Sequence, residues 1–257
     1  MDRGDQVDLD ALADMDMEVA GQGTADAMTD DQDGGGAAGS NPLSSVNKID
    51  LTWNYTDSDS GETNDFAVEG SFMISPKVKL LYEVHYLETN ITGTSENDWS
   101  SVNIKPVYFI KDAKINEDWA MRMAAGVELI IDFDNSAKGI GTGSDQIAPL
   151  FGFAFSRPAS GTVLIPLIQH FTSLNGPDIN TTAFRVIALQ PLDHGMWARG
   201  DFKIPYDSER STWPITAEIE LGKMISPTVG VFVAGQVGVG GDKPYDWGVN
   251  VGMRFNF

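Results

Sequence analysis

Apolar and polar residues alternate one by one along most of the chain, most clearly in its last thirteen residues, Tyr245–Phe257. The apolar positions there are Tyr245, Trp247, Val249, Val251, Met253, Phe255 and Phe257. Successive side chains of a β-strand point to opposite faces, so the pattern predicts a strand with one apolar and one polar face. A transmembrane strand needs roughly 9–11 residues, so this stretch is long enough to cross a bilayer.

The same alternation restarts repeatedly from Lys48 onward and predicts about twelve strands. Their predicted ranges are 48–55, 66–74, 78–87, 102–110, 119–133, 146–155, 163–172, 181–189, 196–205, 213–223, 229–239 and 245–257. Short turns alternate with longer polar loops, as in outer-membrane barrels, where both chain ends are periplasmic. We therefore predict an all-β protein, a transmembrane antiparallel up-and-down β-barrel over residues 46–257.

Tryptophan and tyrosine cluster at the ends of the predicted strands. These residues are Trp53, Tyr55, Trp99, Tyr108, Trp119, Tyr206, Trp213, Tyr245 and Trp247. Amphipathic rings are stable at the level of lipid headgroups, so the placement favours two aromatic belts around a membrane barrel. Ordinary strand aromatics in a β-sandwich are the alternative explanation.

Residues 1–45 differ from the rest of the chain in composition. They hold eleven acidic residues against one basic residue, Arg3, which is half of the formal net charge of −20. Such a segment has too little apolar surface to form a core, and Gly34–Ser40 has the composition of a flexible linker. We predict a largely disordered acidic tail, with a lumenal plug or a docking peptide for a periplasmic partner as the alternative.

The terminal strand resembles the C-terminal strand of Gram-negative outer-membrane barrels, which alternates in the same way and ends in phenylalanine. That resemblance implies a protein of the bacterial outer membrane, in contact with its lipid. It also implies that the barrel assembly machinery recognises Tyr245–Phe257. An export signal is expected to have been removed from the mature chain. The strong acidity argues against nucleic acid as a partner, because phosphates require a basic surface.

The predicted lumenal face carries charges of both signs. The candidate pore-lining residues are Arg122, Glu128, Asp132, Arg185, Arg199, Asp201, Lys203, Glu218, Glu220 and Arg254. Cross-strand ion pairs that fill a narrow lumen would account for them. A charge-lined constriction that selects solutes would account for them equally.

Several positions on the same inward face are apolar, which an aqueous channel does not require. They are Leu81, Leu87, Val107, Phe109, Ile130, Leu150, Ile187, Leu189, and either Leu164 or Ile168. Two explanations remain open from the pattern alone. Either this side of the lumen is packed shut, or it offers a path to a hydrophobic solute.

Sequence motifs for catalysis or for metal and cofactor binding are weak. The run from His170 to Ser173 suggests a histidine–serine pair, as in outer-membrane phospholipases, but no further triad signature accompanies it. Metal-ligand spacings are absent, and the glycine-rich stretches follow strands without a helix behind them. We therefore predict no enzyme, no cofactor and no metal, with an outer-membrane hydrolase as a distant alternative.

The final third of the chain resembles outer-membrane transporters encoded with the meta-cleavage pathway of phenol degradation. The resemblance rests on residues 188–192, Trp197, and the ranges 203–207, 221–227 and 240–248. It implies a barrel that moves small, hydrophobic or aromatic, molecules. We accordingly predict an outer-membrane channel or transporter for small solutes. The alternative is a structural or partner-docking barrel with a closed lumen.

Overall fold

The computed structural model describes residues 35–257, so the predicted acidic tail lies outside the described residues up to position 34. One helix, α1 (Gly35–Ser40), precedes twelve strands. The strands are β1 (Lys48–Ser58), β2 (Gly61–Ser75), β3 (Val78–Thr89), β4 (Glu96–Lys114), β5 (Ala120–Asp132), β6 (Gln146–Arg157), β7 (Thr162–Ser173), β8 (Asn180–Leu192), β9 (Met196–Asp207), β10 (Ile215–Met224), β11 (Val229–Val239) and β12 (Trp247–Asn256). Short 3₁₀ helices occupy Ser136–Lys138 and Asp193–Gly195.

Each strand pairs antiparallel with its neighbours in sequence, and β1 pairs with β12 to close the barrel. The closing ladder runs from Lys48 opposite Asn256 to Asp57 opposite Trp247. Closure pairs the backbone groups that an open sheet would leave exposed at its edges. The prediction of an all-β, up-and-down antiparallel barrel of about twelve strands is confirmed.

The two ends of the barrel differ in their connections. The turn end holds the start of β1, the end of β12 and the connections after β2, β4, β6, β8 and β10. The loop end holds the other six connections, of which residues 133–145 form the longest. No helix among residues 35–257 is long and apolar enough to cross a membrane.

Two strands begin five or six residues before the positions at which the alternation of apolar residues predicts them to begin. The predicted strands begin at residues 66 and 102, whereas β2 begins at Gly61 and β4 at Glu96. The extra residues are mostly polar on both faces, because they form the hairpin ends beyond the apolar band. Backbone pairing continues there without the side-chain pattern that marks a strand in sequence.

The outer face of the barrel is apolar over most of its height. Leu51, Phe66, Ile168, Phe184 and Val233 are among the large apolar side chains that are more than two-fifths exposed there. A monomeric soluble protein rarely exposes a continuous apolar surface of this extent.

Aromatic rings cluster in pairs at the loop end of this apolar surface. The ring centroids lie 5.4 Å apart for Tyr55 and Trp247, 5.4 Å for Tyr86 and Trp99, and 4.7 Å for Tyr206 and Trp213. These pairs form the type of girdle that the strand-end aromatics predict.

Tyr245 was predicted to face outward, and that prediction is wrong. The strand β12 begins only at Trp247, and the Tyr245 hydroxyl donates a hydrogen bond of 3.0 Å to Gln236 Oε1 on the inner face of β11. Burial raises the pKa of the Tyr245 phenol to about 12. The residue precedes the strand, so the alternation that holds from Trp247 onward does not determine its direction.

Trp197 is fully buried against the backbone of Gly222 inside the barrel. A Cβ atom at position 222 would overlap the indole ring, so only glycine leaves room for it. Gly235 lies on β11 with open space where its Cβ would be.

Gly222→Val is expected to destabilise the barrel by about 1–3 kcal/mol, because the valine forces the Trp197 ring out of its site. Unboiled samples heated to graded temperatures report the loss of the folded band on a gel, and this variant should lose it at a lower temperature. Gly235→Val is the matched control and should behave as the unaltered protein. Equal transitions for both variants would contradict the packing of Trp197 on Gly222.

Candidate functional site

The alternation of the strands directs their polar and charged residues into the lumen. Among the predicted pore-lining residues, eight surround one lumenal cavity of about 510 Å³. They are Glu128, Arg185, Arg199, Asp201, Lys203, Glu218, Glu220 and Arg254. A cavity of this size is in the range of small-molecule sites.

Residues 35–47 lie inside the barrel between this cavity and the turn end, and we call them the lumenal segment. Its helix α1 contacts β8, β9, β10 and β12. Ala37 packs with Trp197 and Phe232 in a small buried cluster. A Cβ atom on Gly39 would come within 2.6 Å of Arg254 Cδ, so the absence of a side chain allows the close approach.

The predicted flexible linker therefore differs from the structure over Gly35–Ser40, which form a helix. Glycine and alanine gave the linker composition, but their small size is what fits a helix against the barrel wall. Tertiary contacts outweigh intrinsic propensity at such positions.

Arg254 joins the lumenal segment to the barrel closure. Its Nε and Nη2 donate to the two Asp50 carboxylate oxygens at 2.9 and 2.8 Å, and its Nη1 donates to Ser40 Oγ. The guanidinium also lies 5.2 Å from the Phe232 ring centroid and 5.5 Å from that of Trp197. Arg254 is 1% exposed, and a charge buried to this extent is costly unless partners such as these compensate for the lost water.

Glu220 holds the other side of Ser40. Its Oε1 accepts hydrogen bonds from Ser40 Oγ at 3.0 Å and from Trp197 Nε1 at 2.6 Å. Its Oε2 lies 3.2 Å from Arg199 Nη2. A serine at position 40 thus connects two buried groups of opposite charge from β10 and β12.

Leu43 of the lumenal segment is 5% exposed and packs in an apolar cluster on the opposite wall. The cluster contains Leu43, Val107, Phe109, Ala124, Ala154, Ile165, Ile187 and Leu189, with Leu81 packed against it. The inward apolar positions are therefore filled by the chain itself. The explanation that this side of the lumen is packed shut therefore applies to Val107, Phe109, Ile187 and Leu189.

Two cations of the wall bind the backbone of the lumenal segment beside Leu43. Lys79 Nζ donates to the Ser44 carbonyl oxygen at 2.8 Å, and Arg122 Nη1 donates to the Leu43 carbonyl oxygen at 2.9 Å. Arg122 also forms an ion pair of 2.8 Å with Asp112. Arg122 was predicted to line a pore; it holds the lumenal segment and does not border the cavity described above.

Two residues that were predicted, as alternatives, to face the lumen point outward instead. Leu164 and Ile168 lie on the outer face of β7 and are 41% and 48% exposed, whereas Ile165 is buried in the lumenal cluster. The error is a shift of one residue in the alternation, which moves every side chain of a strand to the other face.

Asp132 was also predicted to line the pore, and it instead organises the long loop at the loop end. Its Oδ2 accepts a hydrogen bond from the Thr142 backbone N–H at 2.7 Å, and its Oδ1 accepts one from the Asp134 N–H at 2.8 Å. It does not border the cavity. As the last residue of β5, it is positioned by the loop that follows.

Ion pairs cover the cavity wall above the lumenal segment. Arg185 donates from Nε to Asp201 Oδ1 at 2.8 Å, and Lys105 Nζ lies 3.0 Å from Glu128 Oε2. His85 Nδ1 lies 2.9 Å from Asp65 Oδ2. The charged face therefore forms cross-strand ion pairs and borders a cavity, and the selection of solutes there stays a prediction.

The functional residues that the sequence analysis missed are Ser40, Leu43 and Ser44, which were assigned to the tail and linker. A signal for them existed in the inward apolar positions, which require an apolar partner inside the barrel. Leu43 and Val46 are the apolar residues larger than alanine or proline between the glycines and β1.

The suggested pairing of His170 with Ser173 is not formed. His170 Nδ1 lies 2.9 Å from Thr182 Oγ1, and Ser173 Oγ accepts a hydrogen bond from the Ile179 backbone. Within the part of the chain that the structure describes, no group of three or more histidine, aspartate or glutamate side chains has the arrangement of a metal site.

Comparisons with known proteins identify the fold. No protein-family model and no curated protein matches the sequence. Among solved structures, the chain is similar to the KdgM porin, with a TM-score of 0.55, 11% identity, and coverage of 82% of this chain and 99% of that one. The NanC porin gives a TM-score of 0.56 at 8% identity, covering 81% and 100%.

An outer membrane channel from Pseudomonas putida F1 gives a TM-score of 0.59 at 5% identity, covering 83% of this chain and 96% of that channel. Identities this low relate the folds alone. The chain therefore shares the barrel fold of porins and outer-membrane channels.

The position of the lumenal segment predicts a protected site at Ser44, which is buried. The chain has no cysteine, so Ser44→Cys introduces a single thiol. A bulky water-soluble maleimide should react with it slowly in the folded protein and rapidly after denaturation.

Ser60→Cys, in the exposed turn after β1, is the control and should react rapidly in the folded protein. Adding Leu43→Asp to Ser44→Cys should expose the introduced thiol as well, because a carboxylate is unfavourable in the apolar cluster. Equal labelling rates at positions 44 and 60 in the absence of Leu43→Asp would contradict the placement of the lumenal segment.

Proposed function

We propose that the protein is a channel of the bacterial outer membrane for small polar solutes, closed at its turn end by the lumenal segment. The apolar outer face with its aromatic girdle supports a membrane location, because such a surface is stable against lipid and costly in water. The shared fold of the two porins and the Pseudomonas channel supports the same location.

One observation carries the proposal of transport. A polar cavity of about 510 Å³ lies within a closed barrel. The lumenal segment, which blocks this cavity toward the turn end, is not part of the strand ladder. The lumenal segment is held by side-chain contacts and a few hydrogen bonds. Its displacement would open the lumen without breaking any strand pairing.

The chemistry of the cavity favours polar solutes. Charged and amide side chains predominate on its wall, and Leu43 covers the apolar wall residues nearer the turn end. A hydrophobic or aromatic solute, as the resemblance to phenol-pathway transporters implies, would have to displace Leu43 to reach them. Permeation assays with both kinds of solute distinguish these classes.

The orientation in the membrane follows from the connections. Short turns at one end and longer loops at the other support a periplasmic turn end, with both ends of the barrel sequence there. Recognition of Tyr245–Phe257 by the assembly machinery, and binding of a periplasmic partner by the acidic tail, remain predictions from the sequence.

A closed structural barrel is the second candidate function. The buried network of Arg254, Asp50, Ser40 and Glu220 favours it, because groups paired in this way are costly to separate. The two candidates differ in whether the lumen ever conducts.

Liposomes that contain the full chain test the proposal by their rate of swelling in sugars and in small aromatic solutes. Leu43→Asp should raise sugar permeation on the order of tenfold over the unaltered protein, because the charged residue leaves the apolar cluster. Leu43→Met is the control that conserves volume and polarity, and it should remain near the unaltered rate. All samples must first show a folded barrel band on an unboiled gel.

If Leu43→Asp exposes the thiol introduced at position 44 to maleimide but leaves the liposomes impermeable to both solutes, the channel proposal is wrong and the closed structural barrel is favoured. Faster permeation of the aromatic solute than of a sugar of similar size would overturn the proposed preference for polar solutes.

A further inference from the structure

The cavity wall carries fifteen ionisable side chains, and thirteen of them have an oppositely charged partner within 4.0 Å. The two exceptions, among the residues that the structure describes, are Glu69 on β2 and Lys203 on β9. Glu69 accepts one long hydrogen bond of 3.4 Å from Thr52 Oγ1. Lys203 extends into the lumen and is exposed there.

These two unpaired charges face each other across the lumen. In the ring of twelve strands, β2 and β9 are five steps apart in one direction and seven in the other. Strands about 4.8 Å apart and tilted by about 40° give a barrel with a backbone diameter of roughly 24 Å. After both side chains extend inward, a gap on the order of 10 Å separates their charged groups.

Buried hydrogen-bonding atoms on these walls also lack a partner among the described residues. Arg199 Nε, on the same face of β9 as Lys203, is a donor without an acceptor. Asn103 Oδ1 is an acceptor without a donor, and Asn103 faces Glu83, which in turn faces Glu69. Asn103 Nδ2 donates to Glu83 at 3.3 Å, which fixes the direction of the amide.

The two walls are therefore complementary in kind. The β9 wall offers the Lys203 cation, which suits a carboxylate, and the β2 wall offers the Glu69 carboxylate, which suits an ammonium group.

We propose that the cavity binds a zwitterionic solute whose ammonium and carboxylate groups stand about 5 Å apart, because a hydrogen bond of about 3 Å is needed at each end of the gap, and an unblocked dipeptide is such a solute. Its carboxylate lies at Lys203, and its ammonium group lies at Glu69. This inference rests on the proposed function, because it names the solute class of the same lumen.

Solutes of a single charge fit the cavity less well. An anion would pair with Lys203 but leave Glu69 unpaired in a lining that holds eight acidic side chains against six lysines and arginines. A cation would satisfy Glu69 and leave Lys203 unpaired. A zwitterion neutralises both walls and leaves the net charge of the lumen unchanged.

Calorimetric titration of the full chain in detergent tests the inference with four peptides of nearly equal size. These are diglycine, N-acetyl-diglycine, diglycine amide and N-acetyl-diglycine amide. Diglycine should bind about tenfold more tightly than either singly blocked peptide, because each block removes one charge-assisted contact. The doubly blocked peptide should bind most weakly.

Two variants that each remove one charge assign the two ends of the solute. Glu69→Gln should abolish the preference for a free amino group, and Lys203→Gln should abolish the preference for a free carboxylate. Glu117→Gln and Lys114→Gln, at exposed positions outside the cavity lining, are the charge-matched controls and should keep the full ranking. An unboiled gel verifies that every variant retains the barrel.

Equal affinity for all four peptides, no measurable binding, or an unchanged ranking in both cavity variants would overturn the inference. These outcomes are separate from the test of transport. Sugar permeation by Leu43→Asp without peptide discrimination would leave the channel proposal standing and remove the zwitterion. Peptide discrimination without permeation would support the binding site and contradict the channel.

Discussion

The ion pair between Arg254 and Asp50 is the interaction on which the rest of the lumen depends. It joins β12 to β1 across the closure of the barrel, and the same guanidinium holds Ser40 of the lumenal segment. An apolar outer face forces the charged residues of every strand inward, where each needs a partner. One buried arginine thus connects barrel closure, lumenal charge and the closed turn end.

The lumenal segment completes the barrel interior in two chemically different halves. On the side of β9 to β12, small residues and a serine fit against a buried network of charges and aromatic rings. On the side of β3 to β8, Leu43 fills an apolar wall while Lys79 and Arg122 bind its backbone. In the cavity that remains toward the loop end, two opposite charges are unpaired, and we propose that a solute forms ion pairs with both.

The fold was predictable from sequence because period-two alternation reports the two faces of a strand directly, and an even number of strands lets the first and last strands pair antiparallel. Charged residues such as Arg199, Asp201 and Glu220 were correctly placed inward by the same rule. The direction of Tyr245 and the role of Asp132 were not predicted correctly. Both residues lie at the ends of strands, where the conformation of the adjoining loop determines the direction of the side chain. The helix Gly35–Ser40 was missed because glycine and alanine carry little local signal, and only the surrounding barrel stabilises it.

The most direct test of this account is the location of Leu43 in the folded protein. A small aliphatic diazirine residue at position 43 of the full chain, activated by light and mapped by mass spectrometry, reports its neighbours. Cross-links to the strands that carry Val107, Ile165, Ile187 and Leu189 are the predicted result. Cross-links to detergent alone, or to none of these strands, would show that the segment lies outside the lumen and would contradict the closed turn end.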